Sequence, residues 1–218
     1  MTGTMGGSAQ APARTARTER KRRAVLDAAE QVFLRSGYLG ANMDELAALS
    51  GVSKQTVYTY FGSKEQLFVE LVMSMTGAAS GRVADATPTV DGVDDIEAYL
   101  VDYAHRQLTV VLAPRLLQLR RLVIGEVGRF PGLAHALWEG GPRRAIAALT
   151  SIFGGFVERG VLDVDDPALA AEQFNWLVMS GPLNQAMLLG DDAVPSDAGL
   201  REHAERSVRM FLAAHRDR

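Results

Sequence analysis

Residues 37–68 read GYLGANMDELAALSGVSKQTVYTYFGSKEQLF. Three helix N-terminal signatures lie within these residues. Asn42-Met43-Asp44-Glu45 forms a capping box, in which Asn42 accepts from the Glu45 amide and the Glu45 carboxylate reaches back. The short helix that follows, Met43 to Ser50, is stopped by Gly51. Ser53 caps a second helix, Lys54 to Tyr60, and Ser63-Lys64-Glu65-Gln66 opens a third that runs to about Met75. Upstream, Val25, Leu26, Ala29, Val32 and Phe33 form one helical face ending at Ser36-Gly37-Tyr38. Four helices in so short a span, the middle pair joined by one tight turn, make a helix-turn-helix.

The second helix of that pair carries the chemistry. Ala47 is small enough to let the two helices cross closely, and Gly51 supplies a turn with positive φ. Leu46, Val52, Val57 and Tyr60 point inward and lock one helix on the other. Lys54, Gln55, Tyr58 and Thr59 remain outward, with Thr56 at the margin. Every one of these can donate a hydrogen bond and none is acidic, which suits the edges of bases in a DNA major groove. Asn42, Tyr60 and Lys64 add phosphate-seeking groups around the helix.

Charge agrees with that reading. Residues 1–64 hold nine Lys/Arg against five Asp/Glu, whereas residues 65–218 hold fourteen against twenty-one. A basic head on an acidic body fits a head that meets a polyanion. Residues 1–18 read as a disordered basic tail, and Arg14, Arg17 and Arg20 to Arg23 can add minor-groove or backbone contacts. Residues 19–66 are the helix-turn-helix domain. After a linker from Thr76 to Gly92, the rest reads as helices: Val93–Leu112, Pro114–Arg129, Pro131–Glu139, Pro142–Arg159, Pro167–Leu189 and Ser196–His215. Several begin with proline in the first turn, where its missing N–H does no harm. No period-two alternation appears, so the fold class is all-α.

Composition excludes other classes. The chain has 218 residues, 47% hydrophobic and 22% charged, and no cysteine, so neither a disulfide nor a thiolate metal site is available. The longest nearly apolar run, Ala145 to Val157, is too short and too interrupted to span a bilayer, and no apolar signal core opens the chain. A cytoplasmic protein is expected. His105, His135, His203 and His215 show no ligand spacing, so no metal and no cofactor are expected. No nucleophile elbow, P-loop or dinucleotide fingerprint occurs.

The stretch from Arg20 to Leu71 resembles the DNA-binding domain of the TetR/AcrR family of transcriptional regulators, through the string GVSKQTVYTYFGSKEQLF at residues 51–68. That resemblance implies DNA contacts by Thr56, Tyr58, Tyr60 and Lys64, with Lys54 and Gln55 as the variable readers. Asn42 departs from the Ser or Thr more usual there but caps equally well. The stretch LRRLVIGEVGRFPGLAHALWEGGPRRAIAAL is similar to a recurrent C-terminal domain type of the same family. It implies that residues 67–218 bind a small effector and dimerise through the last two helices, Pro167–Leu189 and Ser196–His215. The first of these carries Leu169, Phe174, Trp176, Leu177, Met179, Leu183, Met187 and Leu188, apolar on more than one face, as a helix buried on both sides must be.

Candidates for the effector pocket are polar or aromatic groups among apolar helical neighbours: Tyr103, His105, Gln107, Arg120 and Glu126, then Trp138, Phe153, Phe156, Asn175 and Trp176. The expected effector is apolar or aromatic. The expected function is a homodimeric repressor released from a palindromic operator in double-stranded DNA when that effector binds. An architectural DNA binder without an effector, and an all-helical enzyme carrying a DNA-binding head, are the alternatives. A C-terminal domain without a free cavity would favour the former, and ligand turnover the latter.

Overall fold

A computed structural model describes residues 10–215, with side chains from Thr15 onward. Ten α-helices and one 3-10 turn account for the regular structure, and no strand occurs among the described residues. The chain divides into two compact units between Leu71 and Val72, a few residues beyond the boundary expected at 66/67.

In the first unit α1 (Gln10–Gly40) is followed by α2 (Met43–Ser50), α3 (Lys54–Phe61) and the first turns of α4 (Lys64–Asp85). α1 begins earlier than the expected tail allows, because residues 10–18 are helical. Residues 1–9 of that tail lie outside the described residues. Alanine, arginine, lysine and glutamate from Ala16 to Ala24 all propagate a helix well. The packed face below, with Val25, Ala29, Val32 and Phe33 fully buried, holds the nucleus from which it extends. Near its C-terminal end Gly37 (φ +72°) changes the direction of the chain. Phe33, Tyr38 and Phe68 then meet at centroid distances of 4.6–6.0 Å and tie α1 to α4.

α4 corrects the sequence reading. Instead of ending near Met75 in a linker, it continues to Asp85. Its glycines and serines are weak helix formers, but its alanines favour the helix and packing outweighs the rest. Ala79 and Val83 are buried, and Thr76 turns its hydroxyl onto the Val72 carbonyl at 2.7 Å. Thr76 and Ser80 of α4 also touch α7 at Gly140, whose carbonyl accepts from the Ser80 hydroxyl at 3.0 Å and whose Cα leaves no room for a side chain beside Thr76.

The second unit adds α5 (Ile96–Val111), α6 (Pro114–Glu126), α7 (Pro131–Gly140), α8 (Pro142–Glu158), α9 (Pro167–Leu189) and α10 (Asp197–His215). Proline stands in the first turn of α6, α7, α8 and α9, as the sequence predicts. α8 packs along α9 and α10 along α5. Phe153, Phe174 and Phe211, one from each of α8, α9 and α10, meet at 5.0–5.6 Å. α9 is buried along its middle at Phe174, Asn175, Val178 and Met179 while Leu169, Leu188 and Leu189 stay exposed. No described helix is long and apolar enough to cross a membrane.

Candidate functional site

The helix pair α2–α3 is built as its sequence dictates. Asn42 Oδ1 accepts from the amides of Asp44 (2.8 Å) and Glu45 (3.4 Å). The reciprocal half of the expected capping box does not form, because the Glu45 carboxylate pairs with Arg35 on α1 instead. Gly51 sits at φ +68°, ψ +24°, and its amide and that of Val52 return to the carbonyls of Ala48 and Ala47. Leu46, Ala47 and Val57 are buried, as expected. Phe61, more than Tyr60, seals the inner face of α3, since Tyr60 stays only half-buried.

The outward residues of α3 are not equally free. The Gln55 side chain is exposed and Tyr58 half-buried. Thr59 turns its hydroxyl back onto the Gln55 carbonyl at 2.8 Å, and Thr56 Oγ1 lies 2.8 Å from Ser53 Oγ within the cap. Lys54 Nζ rests 3.0 Å from the Asp44 carboxylate at the start of α2. Lys64 faces inward: its ammonium donates to the Ala41 carbonyl at 2.8 Å and lies 5.1 Å from the centre of the Tyr38 ring. Desolvation there lowers its pKa. The group expected to seek a phosphate therefore also ties down the turn between α1 and α2.

In the second unit, taken by itself, α4, α5, α6, α8 and α9 surround a cavity of about 660 Å³, within the usual range for small-molecule sites. Of the ten candidates named from the sequence, Tyr103, Gln107, Arg120, Asn175 and Trp176 line it. The others do not. His105 pairs with Asp197 on α10 at 2.9 Å. Phe153 and Phe156 belong to the core with no exposed area. Glu126 lies at the end of α6, facing Arg129 at 4.0 Å. Trp138 lines a smaller neighbouring hollow and stacks on Trp176 at 6.3 Å. Tyr103 and Trp176 face the cavity whereas Phe153 and Phe156 do not, and periodicity cannot tell a ring that faces a void from one that faces other rings.

The sequence reading missed the α4 wall of this cavity, which includes Thr76, Gly77, Ser80, Gly81 and Ala84. Their spacing was a signal. Small residues recurring every three or four positions on a helix leave room beside it rather than marking a linker.

The polar groups of the wall include Tyr103 and Gln107 on α5, Arg120 on α6, Arg144 on α8 and Asn175 on α9. Gln107 Nε2 donates to Asn175 Oδ1 at 2.8 Å, both residues being buried. Gln107 Oε1 and the Tyr103 hydroxyl are buried without a hydrogen-bond partner. Burial pushes the Tyr103 phenol pKa far up, and desolvation lowers that of Arg120. Among the described residues no cluster of His, Asp or Glu could hold a metal ion.

Comparison with known proteins decides the family. Residues 25–71 match the bacterial regulatory proteins of the tetR family, and residues 98–217 match the C-terminal domain of AefR-like transcriptional repressors. The chain belongs to the TetR family. Among solved structures, one described as a TetR-family transcriptional regulator from Mesorhizobium loti shares 36% identity, covering 92% of this chain and 99% of its own, with a TM-score of 0.87. The flavonoid-responsive regulator FrrA shares 32% identity over 92% of this chain and 99% of its own, with a TM-score of 0.76. The transcriptional repressor SCO4008 of Streptomyces coelicolor is 29% identical over 86% of this chain and 93% of its own. This TetR-family protein is thus a DNA-binding regulator of transcription and not an enzyme.

Proposed function

We propose that this TetR-family regulator is a homodimeric repressor that leaves a palindromic operator when a small molecule occupies the cavity of its second unit. The cavity of about 660 Å³ carries this reading. An architectural DNA binder has no use for a cavity bounded by a buried Gln–Asn pair and an arginine. FrrA, by its name, responds to flavonoids, which supports a small, largely apolar effector here. In a dimer two copies of α3 enter successive major grooves about 34–36 Å apart. Lys54, Gln55, Thr56 and Tyr58 face bases, while Asn42, Thr59, Tyr60 and Lys64 serve the backbone. Exposed Leu169, Leu188 and Leu189 on α9 and Met210 on α10 supply apolar surface for the second copy.

α4 is the element through which the effector acts. By its backbone it is one helix, Lys64–Asp85, beginning at Lys64 and supplying cavity-lining residues from Thr76 onward. An effector that favours one position of α4 changes the spacing of the two heads. A coupling of about 1–3 kcal/mol gives a 5- to 150-fold change in DNA affinity. The test selects bound duplexes from a random pool and titrates the selected operator at fixed salt, with sedimentation giving the assembly state. The expected species is a dimer, twice the 23.5 kDa chain, on an inverted repeat. A monomer that binds a single half-site as tightly as the whole operator overturns the dimeric reading.

A further inference from the structure

Two neighbouring arginines of α6 have opposite fates. Arg121 is tied down, with its guanidinium 2.6 Å from the Ala186 carbonyl and 2.7 Å from the Asp191 carboxylate. Arg120 lines both the cavity and the smaller hollow beside it and has no ion-pair partner among the described residues. A half-buried guanidinium without a counter-charge is costly to keep, and desolvation lowers its pKa. One turn apart on α5, the buried Tyr103 hydroxyl and Gln107 Oε1 also lack partners. A lone ligand hydroxyl placed between them would accept from Tyr103 and donate to Gln107. The amide of Gln107 is already oriented by Asn175 at 2.8 Å, which leaves Oε1 as the atom that still needs a donor. The rest of the wall is mainly apolar, with residues such as Val83, Leu119, Ile152 and Met179, and Arg144 of α8 adds a second guanidinium to it.

We propose that the effector is an organic anion with an apolar body, its carboxylate or ionised phenol held by Arg120 and a hydroxyl seated between Tyr103 and Gln107. This rests on the reading of the cavity as the effector site and narrows it to a chemical class. A neutral hydrocarbon would fill the volume but leave all three groups unpaired. A cation would meet Arg120 head-on.

The test uses the full-length protein and a panel of monocarboxylic acids with aliphatic or biaryl bodies. Each acid is matched to its methyl ester, and each hydroxy-acid to the acid lacking the hydroxyl. Binding is followed by titration calorimetry. At least one acid should bind about tenfold or more tighter than its ester, as loss of a charge-assisted pair implies. Arg120→Gln should abolish that preference while leaving ester affinity within about threefold. Tyr103→Phe should remove the advantage of the hydroxy-acid and leave the preference for acid over ester intact. A panel in which no acid is preferred over its ester overturns the proposal, and so does a preference that survives in Arg120→Gln. Operator binding measured alongside separates the two readings. Esters that bind the cavity and release DNA better than acids leave the switch standing and sink the anion. Acids that bind through Arg120 without changing DNA affinity do the reverse.

Discussion

His203 Nε2 lies 2.8 Å from the Val178 carbonyl oxygen, four residues before Pro182 in α9. An α-helix at position 182 would normally donate its N–H to that carbonyl, and proline has none to give. His203 of α10 therefore supplies from another helix the hydrogen bond that α9 cannot make for itself. This requires the proton on Nε2. The bond also fixes how α10 sits against α9 at a helix expected to lie in the dimer interface.

From this relationship comes the first prediction. His203→Ala leaves a buried carbonyl unpaired and should cost about 1–3 kcal/mol. Pro182→Ala restores an amide to position 182, so the double variant should lose less than His203→Ala alone. Denaturant unfolding of the four proteins gives the coupling directly. Strict additivity would show that His203 does not serve the proline's missing bond.

The second prediction concerns the turn between the two helices. At Gly51 a Cβ would find open space, with nothing within 4 Å, yet φ is +68°. Gly51→Ala should therefore destabilise by about 1–2 kcal/mol through backbone strain alone. Gly51→Asn should lose clearly less, since asparagine tolerates this conformation. Equal losses in the two variants would point to contact rather than dihedral as the constraint.

The third prediction uses the ion pair between Lys54 and Asp44. Both side chains are substantially exposed, at 46% and 71%, so the pair adds little to stability. Its effect falls on DNA. Asp44→Asn should release Lys54 and remove a negative charge beside α3, strengthening binding to operator and to unrelated duplex alike. For each phosphate newly engaged the salt dependence should steepen by roughly 0.9 log units per log unit. Affinity that is unchanged or reduced would mean that the carboxylate positions Lys54 rather than holding it back.

The fourth separates reading from positioning. Gln55→Ala should cost about 1–3 kcal/mol per bidentate base contact on the operator only, with the salt slope unaltered. Lys64→Ala should weaken binding to all duplexes and flatten the salt slope. It should also lower the melting temperature, because Lys64 holds the Ala41 carbonyl. A Lys64→Ala protein that melts like the parent would place the ammonium outside the fold's support. Equal loss on operator and scrambled DNA for Gln55→Ala would move base reading to Lys54, Thr56 or Tyr58.

What could be read from the chain divides along physical lines. Local rules placed the helix starts at the prolines and the bounds of α2, because proline at a first turn, Asn42 and Ser53 as caps and Gly51 as a stop act within a few residues of where they stand. α4 escaped because its glycines and serines have meaning only against the cavity they border. Gln107 and Asn175 were recognisable as polar groups on apolar faces, and the structure joins them across 68 positions. Phe153 and Phe156 satisfied the same rule and proved to be core. Which way Lys64 turns depended on the Ala41 carbonyl and the Tyr38 ring, brought to it by the fold from more than twenty residues away.

Trp138 and Trp176, stacked at an interplanar angle of 18°, are the chain's two tryptophans. All of its indole absorbance and emission thus originates at one edge of the cavity, and none comes from residues 1–71. A melt followed by tryptophan emission reports on the second unit and is nearly blind to the helix-turn-helix. Loss of the DNA-reading head would register in the far-ultraviolet helical signal and in the tyrosines Tyr38, Tyr58 and Tyr60. A helical loss without a matching change in tryptophan emission therefore marks unfolding of the first unit, without any label.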